Sequence, residues 1–201
     1  MIIKIFTGPL NYNVETLYQK DEFEYIIGVD QGCELLLKNN IDIDLALGDF
    51  DSIDVTLLDD IKANAKEVKE YKIKKNYTDT YLAISEALQL EHDEIIVYGG
   101  IGKRFDHGFA NMNLLKLGNI VMKNDDTLMY MLDPGTYEID NQFKYISLFA
   151  MEDVKELSLQ GFLYELNNIE LVVDDPLCIS NEGSGKISFN EGMLLVVQQD
   201  E

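Results

Sequence analysis

The order of hydrophobic patterns along the chain limits its fold more than any other feature. Up to about residue 123, short apolar runs of strand length alternate with helix-like stretches. Ile2–Phe6 and the runs 25–29, 41–47, 95–98 and 120–122 read as strands, and 70–74 reads as a weaker one. Between them, 33–38, 55–65, 78–90 and 106–117 have helical character. In 78–90, Leu82, Ala83, Ala87 and Leu90 fall on one stripe. This β–α alternation predicts an α/β fold with a mostly parallel N-terminal sheet and helices on both faces.

After Asn124 the helical pattern stops. Short strand candidates follow at Thr127–Leu132, 137–139, 145–149, 156–159, 170–173, Gly185–Phe189 and 194–197. Asp133-Pro134-Gly135, Gly161, Asn167-Asn168, Asp174-Asp175-Pro176 and Asn190-Glu191-Gly192 supply the turns between them. Short strands without helices predict an antiparallel sandwich or barrel-like domain. The expected division is therefore 1–123 and 124–201. No Pro- or Ser-rich linker separates the parts, so close packing is expected.

Composition narrows the function. The formal net charge is −21, and Arg104 is the only arginine. A chain this acidic is repelled by nucleic-acid backbones and by anionic membranes. After Lys123 the only basic residues are Lys144, Lys155 and Lys186, so an anionic ligand must find its cationic partners in the N-terminal part. With 46% apolar residues and 26% charged ones, a folded domain is expected rather than a disordered one. No run approaches the roughly 18 apolar residues of a membrane helix. Cys33 and Cys178 form no CxxC pair, and no apolar leader opens the chain. Reduced thiols and a cytoplasmic location are expected.

Ligands of open α/β sheets bind beyond the carboxyl ends of the strands. There the sequence places Asp30-Gln31-Gly32, then Gly48-Asp49-Phe50-Asp51-Ser52, then Thr78-Asp79 at a helix start. Last comes Gly99-Gly100-Ile101-Gly102-Lys103-Arg104-Phe105-Asp106-His107. If the chain is extended at Asp49 and Asp51, both carboxylates face one way, roughly 6.6 Å apart at about 3.3 Å per residue. Their repulsion, about 4 kcal/mol at 4 Å in an effective dielectric near 20, would be removed by a divalent cation. Hard oxygen ligands point to Mg2+. A polar turn accounts for Asp-Phe-Asp equally well when it is taken alone, and simple capping accounts for Thr78 and Asp79. The glycine segment fits neither a P-loop nor a dinucleotide fingerprint. Even so, its glycines, Lys103 and Arg104 suit a phosphate. From these residues alone the reading is a Mg-nucleotide or phosphate-handling α/β enzyme.

Taken together, the segments resemble the thiamine pyrophosphokinase (thiamin diphosphokinase) family. Gly28-Val29-Asp30-Gln31-Gly32 is similar to its Asp-Gly-Gly segment. Gly48-Asp49-Phe50-Asp51-Ser52 matches its most specific signature, Gly-Asp-Phe-Asp-Ser. Lys75-Asn76-Tyr77-Thr78-Asp79 is similar to its Lys-Asp-x-Thr-Asp. Residues 99–111 resemble its Gly-Gly-x-Gly-x-Arg-x-Asp-His segment, which runs on to Ala-Asn, and Ile179-Ser180-Asn181 its Ile-Ser-Asn.

The resemblance implies an N-terminal α/β domain and a C-terminal β-sandwich. It implies a homodimer whose thiamine pocket lies between the α/β domain of one subunit and the sandwich of the other. The implied reaction transfers a diphosphoryl group from ATP to the hydroxyl of thiamine and releases AMP. Asp49, Asp51 and Asp79 would hold Mg2+, and with Arg104 and Asp106 they make up the expected catalytic set. Asp30, Gly32, Lys75, Thr78, Gly100, Lys103, Arg104 and His107 would line the nucleotide site, and Ser180 and Asn181 would contact thiamine. The cationic thiazolium would also suit an acidic cleft. Three departures stand out: Gln31 for a usual Gly, Asn76 for a usual Asp, and Tyr81 for a common Glu. The alternatives are a pyrophosphokinase for another alcohol, such as a hydroxymethyl-pterin, and a decayed, non-catalytic thiamine- or nucleotide-binding module.

Overall fold

The computed structural model describes residues 1–51, 53–71 and 77–200; Ser52, Lys75 and Asn76, singled out above, lie outside them. The chain is mixed α/β and falls into two compact units, Met1–Asp125 and Asp126–Glu201.

The first unit runs β1 (Ile2–Phe6), α1 (Val14–Leu17), β2 (Glu24–Val29), α2 (Gln31–Lys38), β3 (Ile43–Gly48) and α3 (Val55–Asn64). It continues with β4 (Ala65–Glu70), α4 (Asp79–Ala87), β5 (Glu94–Tyr98), α5 (Phe105–Leu114) and β6 (Ile120–Lys123). The strand order is β4-β3-β2-β1-β5-β6, and every neighbouring pair is parallel. Central strands of such a sheet are covered on both faces, so they need apolar residues on both. Ile3, Ile5, Ile27, Leu47 and Val97 are all buried. The chain lays strands outward from β1 to β4 and then returns to place β5 on the other side of β1. The strand order therefore reverses between β1 and β5.

Of the weak strand expected at 70–74, residues 72–74 lie outside the described ones; the strand described there is β4, Ala65–Glu70. It starts directly where α3 stops, because Ala65 is already extended with φ −79° and ψ 140°. As an edge strand it carries Lys66, Glu67, Lys69 and Glu70, which blunt further pairing but hide the strand from an apolar pattern. The cysteine reading agrees with the structure. Cys33 is buried, and burial pushes its thiol up to about 12, so it packs as a small apolar residue.

The second unit holds β7 (Thr127–Leu132), β8 (Gly135–Ile139), β9 (Tyr145–Gln160), β10 (Leu166–Leu171), β11 (Gly185–Phe189) and β12 (Glu191–Gln199). Its described strands pair antiparallel throughout. The strands expected at 145–149 and 156–159 are one 16-residue strand, β9. Its first part pairs with β12, and its last part with β11 and β10. The charged residues Glu152, Asp153 and Lys155 interrupt its apolar pattern and so imitate a loop. Glu156, at φ 57°, marks the change of partner. The strand expected at 170–173 lies earlier, as β10. Leu148, Leu157, Ile187, Phe189, Leu194 and Val196 belong to one buried cluster. Among the described residues no helix is long and apolar enough to cross a membrane.

Candidate active site

The carboxyl ends of β1, β2 and β5 and the first turns of α4 and α5 surround two cavities that share Gly8, Thr80 and His107. One, of about 370 Å³, is lined by Gly100, Gly102, Lys103, Arg104 and Asn111 among others. The other, of about 260 Å³, is lined by Thr7, Asp30, Gln31, Thr78 and Asp79. Both open where the strand order reverses, the usual ligand position in this architecture. Asp30, Asp79, Thr78, Gly100, Lys103, Arg104 and His107 thus reach one region of one unit.

Backbone packing explains why glycine occupies this edge. Gly99 and Gly100 have φ 89° and 75°, a region that side chains disfavour, and a Cβ on Gly99 would come within 2.2 Å of the Thr7 carbonyl oxygen. The buried Asn111 side chain then donates to the Gly100 carbonyl at 2.8 Å and locks the loop. At the end of β2, Gly32 lets α2 pack against β1, since a Cβ there would lie 2.0 Å from the Phe6 carbonyl oxygen. Gln31, by contrast, is exposed on the first turn of α2 and lines the cavity, so this backbone does not need the family's glycine there. Tyr81 stacks on Tyr77 with ring centroids 4.6 Å apart. Gly32 itself is buried and shapes the turn without lining either cavity.

The Asp49–Asp51 segment is not extended. Phe50 sits at φ 53°, its side chain buried in the core, and the Asp51 amide folds back to donate to Asp49 Oδ1 at 3.3 Å. The i, i+2 argument for two parallel carboxylates therefore does not apply, because a left-handed residue between them turns the chain. Asp49 is half-buried, Asp51 is exposed, and neither lines the two cavities. Among the described residues no three His, Cys, Asp or Glu side chains are grouped closely enough to hold a metal ion. Asp30 and Asp79 do share a cavity. One or two carboxylates, completed by water and phosphate oxygens, suit Mg2+, so this donor set fits the ion.

Arg104 stands just before α5 and grips Asp106 in its first turn: Nε donates at 3.3 Å and Nη2 at 2.6 Å. The Arg104 hydrogen bond holds the Asp106 carboxyl below its ordinary range, and the same contact pushes the guanidinium up. Asp106 is thus a poor proton acceptor while the pair stands. The pair remains largely exposed, at 70% and 64%, so it is open to an incoming phosphate.

The second unit gives Ser180 and Asn181 different roles. Ser180 is exposed at φ 58° and donates its amide to Ser147 Oγ at 2.9 Å. Asn181 is buried. Its Oδ1 accepts from the Tyr164 and Glu182 amides, both at 2.9 Å, and its Nδ2 donates to the Tyr164 carbonyl at 2.8 Å. Its side chain ties down the neighbouring loop.

Sequence reasoning missed Thr7, Gly8, Pro9 and Thr80. The Thr7 and Thr80 hydroxyls meet at 3.2 Å inside the site, joining β1 to α4. The signal was present, since the rule applied to the ends of the later strands also points to the end of β1.

Comparison with known proteins agrees along the chain. Residues 17–124 match the family model for the thiamin pyrophosphokinase catalytic domain, and residues 136–194 match its vitamin B1 binding domain. A thiamine pyrophosphokinase of Bacillus subtilis (strain 168) is 37% identical, with 96% of each chain covered. The crystal structure of thiamine pyrophosphokinase from Bacillus subtilis superposes with a TM-score of 0.90 at 34% identity, covering all of both chains. That from Geobacillus thermodenitrificans gives 0.87 at 30% identity, covering 100% of this chain and 98% of the other.

Proposed function

The chain belongs to the thiamin pyrophosphokinase family, and from that premise we propose that it transfers a diphosphoryl group from ATP to the hydroxyl of thiamine. One observation carries the reading: glycine loops, the only arginine and two carboxylates open onto adjoining cavities at the strand-order reversal. The hydroxyl oxygen attacks the β-phosphorus and gives up its proton to solvent, the bond from that phosphorus to the α-bridging oxygen breaks, and AMP leaves with that oxygen. Charge grows on the phosphate oxygens, so positioning and cationic donors carry the catalysis. Arg104, with Lys103 beside it, would hold these oxygens, and Asp106 would hold Arg104 until phosphate arrives. The loop at Gly100, Thr78 and His107 would seat the nucleotide.

Asp79, on the cavity wall, would hold Mg2+ with water and phosphate oxygens, and by the family resemblance Asp49 and Asp51 would join it; when bound the ion neutralises phosphate charge. In this reading 1–123 is the catalytic domain. Residues 124–201 form a β-sandwich that binds thiamine, with Ser180 at the substrate and Asn181 fixing its loop. A homodimer is proposed too, supported by Leu163, Tyr164 and Leu177, which stay more than half exposed beside that loop. A cytoplasmic location fits the unpaired cysteines.

The test is product identity. With thiamine and MgATP the protein should release AMP in step with thiamine diphosphate, and Asp51→Asn should remove nearly all turnover while the fold persists. Release of ADP, or dependence on a pterin alcohol instead of thiamine, would overturn the reading.

A further inference from the structure

Asp30 lines the second cavity, but its Oδ1 is turned to the end of the neighbouring strand. It ends β2 at φ 46° and ψ −116°, a conformation that side chains rarely adopt. The pattern Gly28-Val29-Asp30-Gln31-Gly32 enforces this tight strand-to-helix turn. A Cβ on Gly28 would lie 2.7 Å from Cys33 Sγ, and one on Gly32 would lie 2.0 Å from the Phe6 carbonyl oxygen. Such an elbow projects one side chain sharply from the end of a strand.

The side chain crosses to the next strand. Val29 and Leu47 are paired in register, so the ends of β2 and β3 lie side by side. The Asp30 amide donates to the Leu47 carbonyl at 3.0 Å. Asp30 Oδ1 accepts from the Phe50 amide at 3.2 Å and lies so close over Gly48 that a Cβ there would be 1.8 Å from it. Phe50 is the left-handed residue on which the carboxylate turn depends, with Asp49 on one side and Asp51 on the other. Its part-buried amide needs an acceptor, and Asp30 supplies one.

We propose that Asp30 is a positioning residue: by holding the Phe50 amide over Gly48, it sets the turn that aims the Asp49 and Asp51 carboxylates. The proposal rests on the reading of those carboxylates as part of the transfer site. One carboxylate oxygen of Asp30 links two strained turns, one on each strand. A methyl at position 48 should therefore do the same damage as removal of that oxygen.

The test uses the full chain with Asp30→Ala, Asp30→Asn, Gly48→Ala and the Asp30→Ala/Gly48→Ala double variant. Exchange of the Phe50 amide, followed by NMR, should quicken by about tenfold or more in Asp30→Ala and Gly48→Ala and stay near wild type in Asp30→Asn, which keeps an acceptor oxygen. In turnover, each of the first two should lose about 100-fold in kcat, the scale of an ångström-sized misplacement. Their Mg2+ requirement should rise while KM for thiamine holds. The double variant should be no worse than the poorer single, as expected for one shared interaction. Unchanged Phe50 exchange in Asp30→Ala would overturn the proposal. So would multiplying losses in the double variant, or an Asp30→Asn enzyme as impaired as Asp30→Ala, since either means direct contact with substrate or metal. If Gly48→Ala fails to fold, the contrast between Asp30→Ala and Asp30→Asn decides. If the wild type makes no thiamine diphosphate, the functional reading alone fails, and the amide exchange still decides the clamp.

Discussion

The two ends of the parallel sheet treat charge in opposite ways. The amino end has the larger cavity, about 470 Å³, lined by Glu15, Asp21, Glu24, Asp42, Asp44 and Lys66 among others. There Asp21, Glu24 and Asp44 are paired with lysines. Lys4 is fully buried in β1 and bonds Asp21 at 2.6 Å, Glu24 at 2.8 Å and the Gln19 carbonyl. Tyr18 donates to the other oxygen of Glu24 at 2.7 Å. Asp44 takes Lys66 on one oxygen and the Ile26 amide on the other, both at 2.7 Å. At the carboxyl end the cavities are smaller, glycines bring backbone to their walls, and the Arg104–Asp106 pair stands in solvent. Cavity size therefore does not identify the site. Internally satisfied charge marks a structural end, and charge held out to solvent by tightly packed turns marks a working one.

The contrast predicts that changes at the carboxyl end cost rate and changes at the amino end cost stability. The largest effect should come from Arg104→Ala. It should lower kcat/KM by about 100- to 1000-fold, the scale of losing one charge-stabilising donor, while the urea midpoint stays put because exposed pairs add little. A midpoint that falls with the rate would erase the distinction.

Next is Lys4→Met, which strands two carboxylates. Urea unfolding should show a loss of about 3 kcal/mol, near the lower end for broken buried pairs because Asp21 is partly exposed. Turnover of the molecules that remain folded should be near normal. A rate loss without a stability loss would show that the amino end takes part in catalysis.

The smallest effect is the response to acid. Burial pushes the Glu24 carboxyl up, but hydrogen bonds from Lys4 and Tyr18 together outweigh it and hold the group below the ordinary glutamate value of 4.5. A depressed carboxylate stabilises the fold above its unfolded pKa, and that contribution is lost as pH falls through the folded value. Urea midpoints measured from pH 6 downward should therefore drop below about pH 4.5, and Glu24→Gln should flatten this drop. Asp106→Asn, whose carboxyl is also depressed but stands in a solvent-screened pair, should flatten the acid limb less; an equal flattening there would remove the contrast.

Much of this was legible locally. The alternation of runs before residue 123 found β1, β2, β3, β5 and β6, and the helices expected from 78 and 106 begin at Asp79 and Phe105. β4 and the middle of β9 were misread because charged residues on an edge or at a change of partner break the apolar alternation that marks a strand. Asp49 and Asp51 were recognised by residue type, but their geometry was not, because nothing in Gly-Asp-Phe-Asp announces a left-handed Phe50.

The sequence by itself determined the element types, the glycines that close approach requires, and the family to which the segments belong. These are set by side-chain periodicity and backbone sterics within a few residues. Only the tertiary structure decided that Thr7 meets Thr80, that Asp30 reaches across to Phe50, and that Asn181 is tied to its neighbouring loop. Those facts depend on which strand lies beside which. That order comes from burying faces contributed by distant parts of the chain, and no local pattern records it.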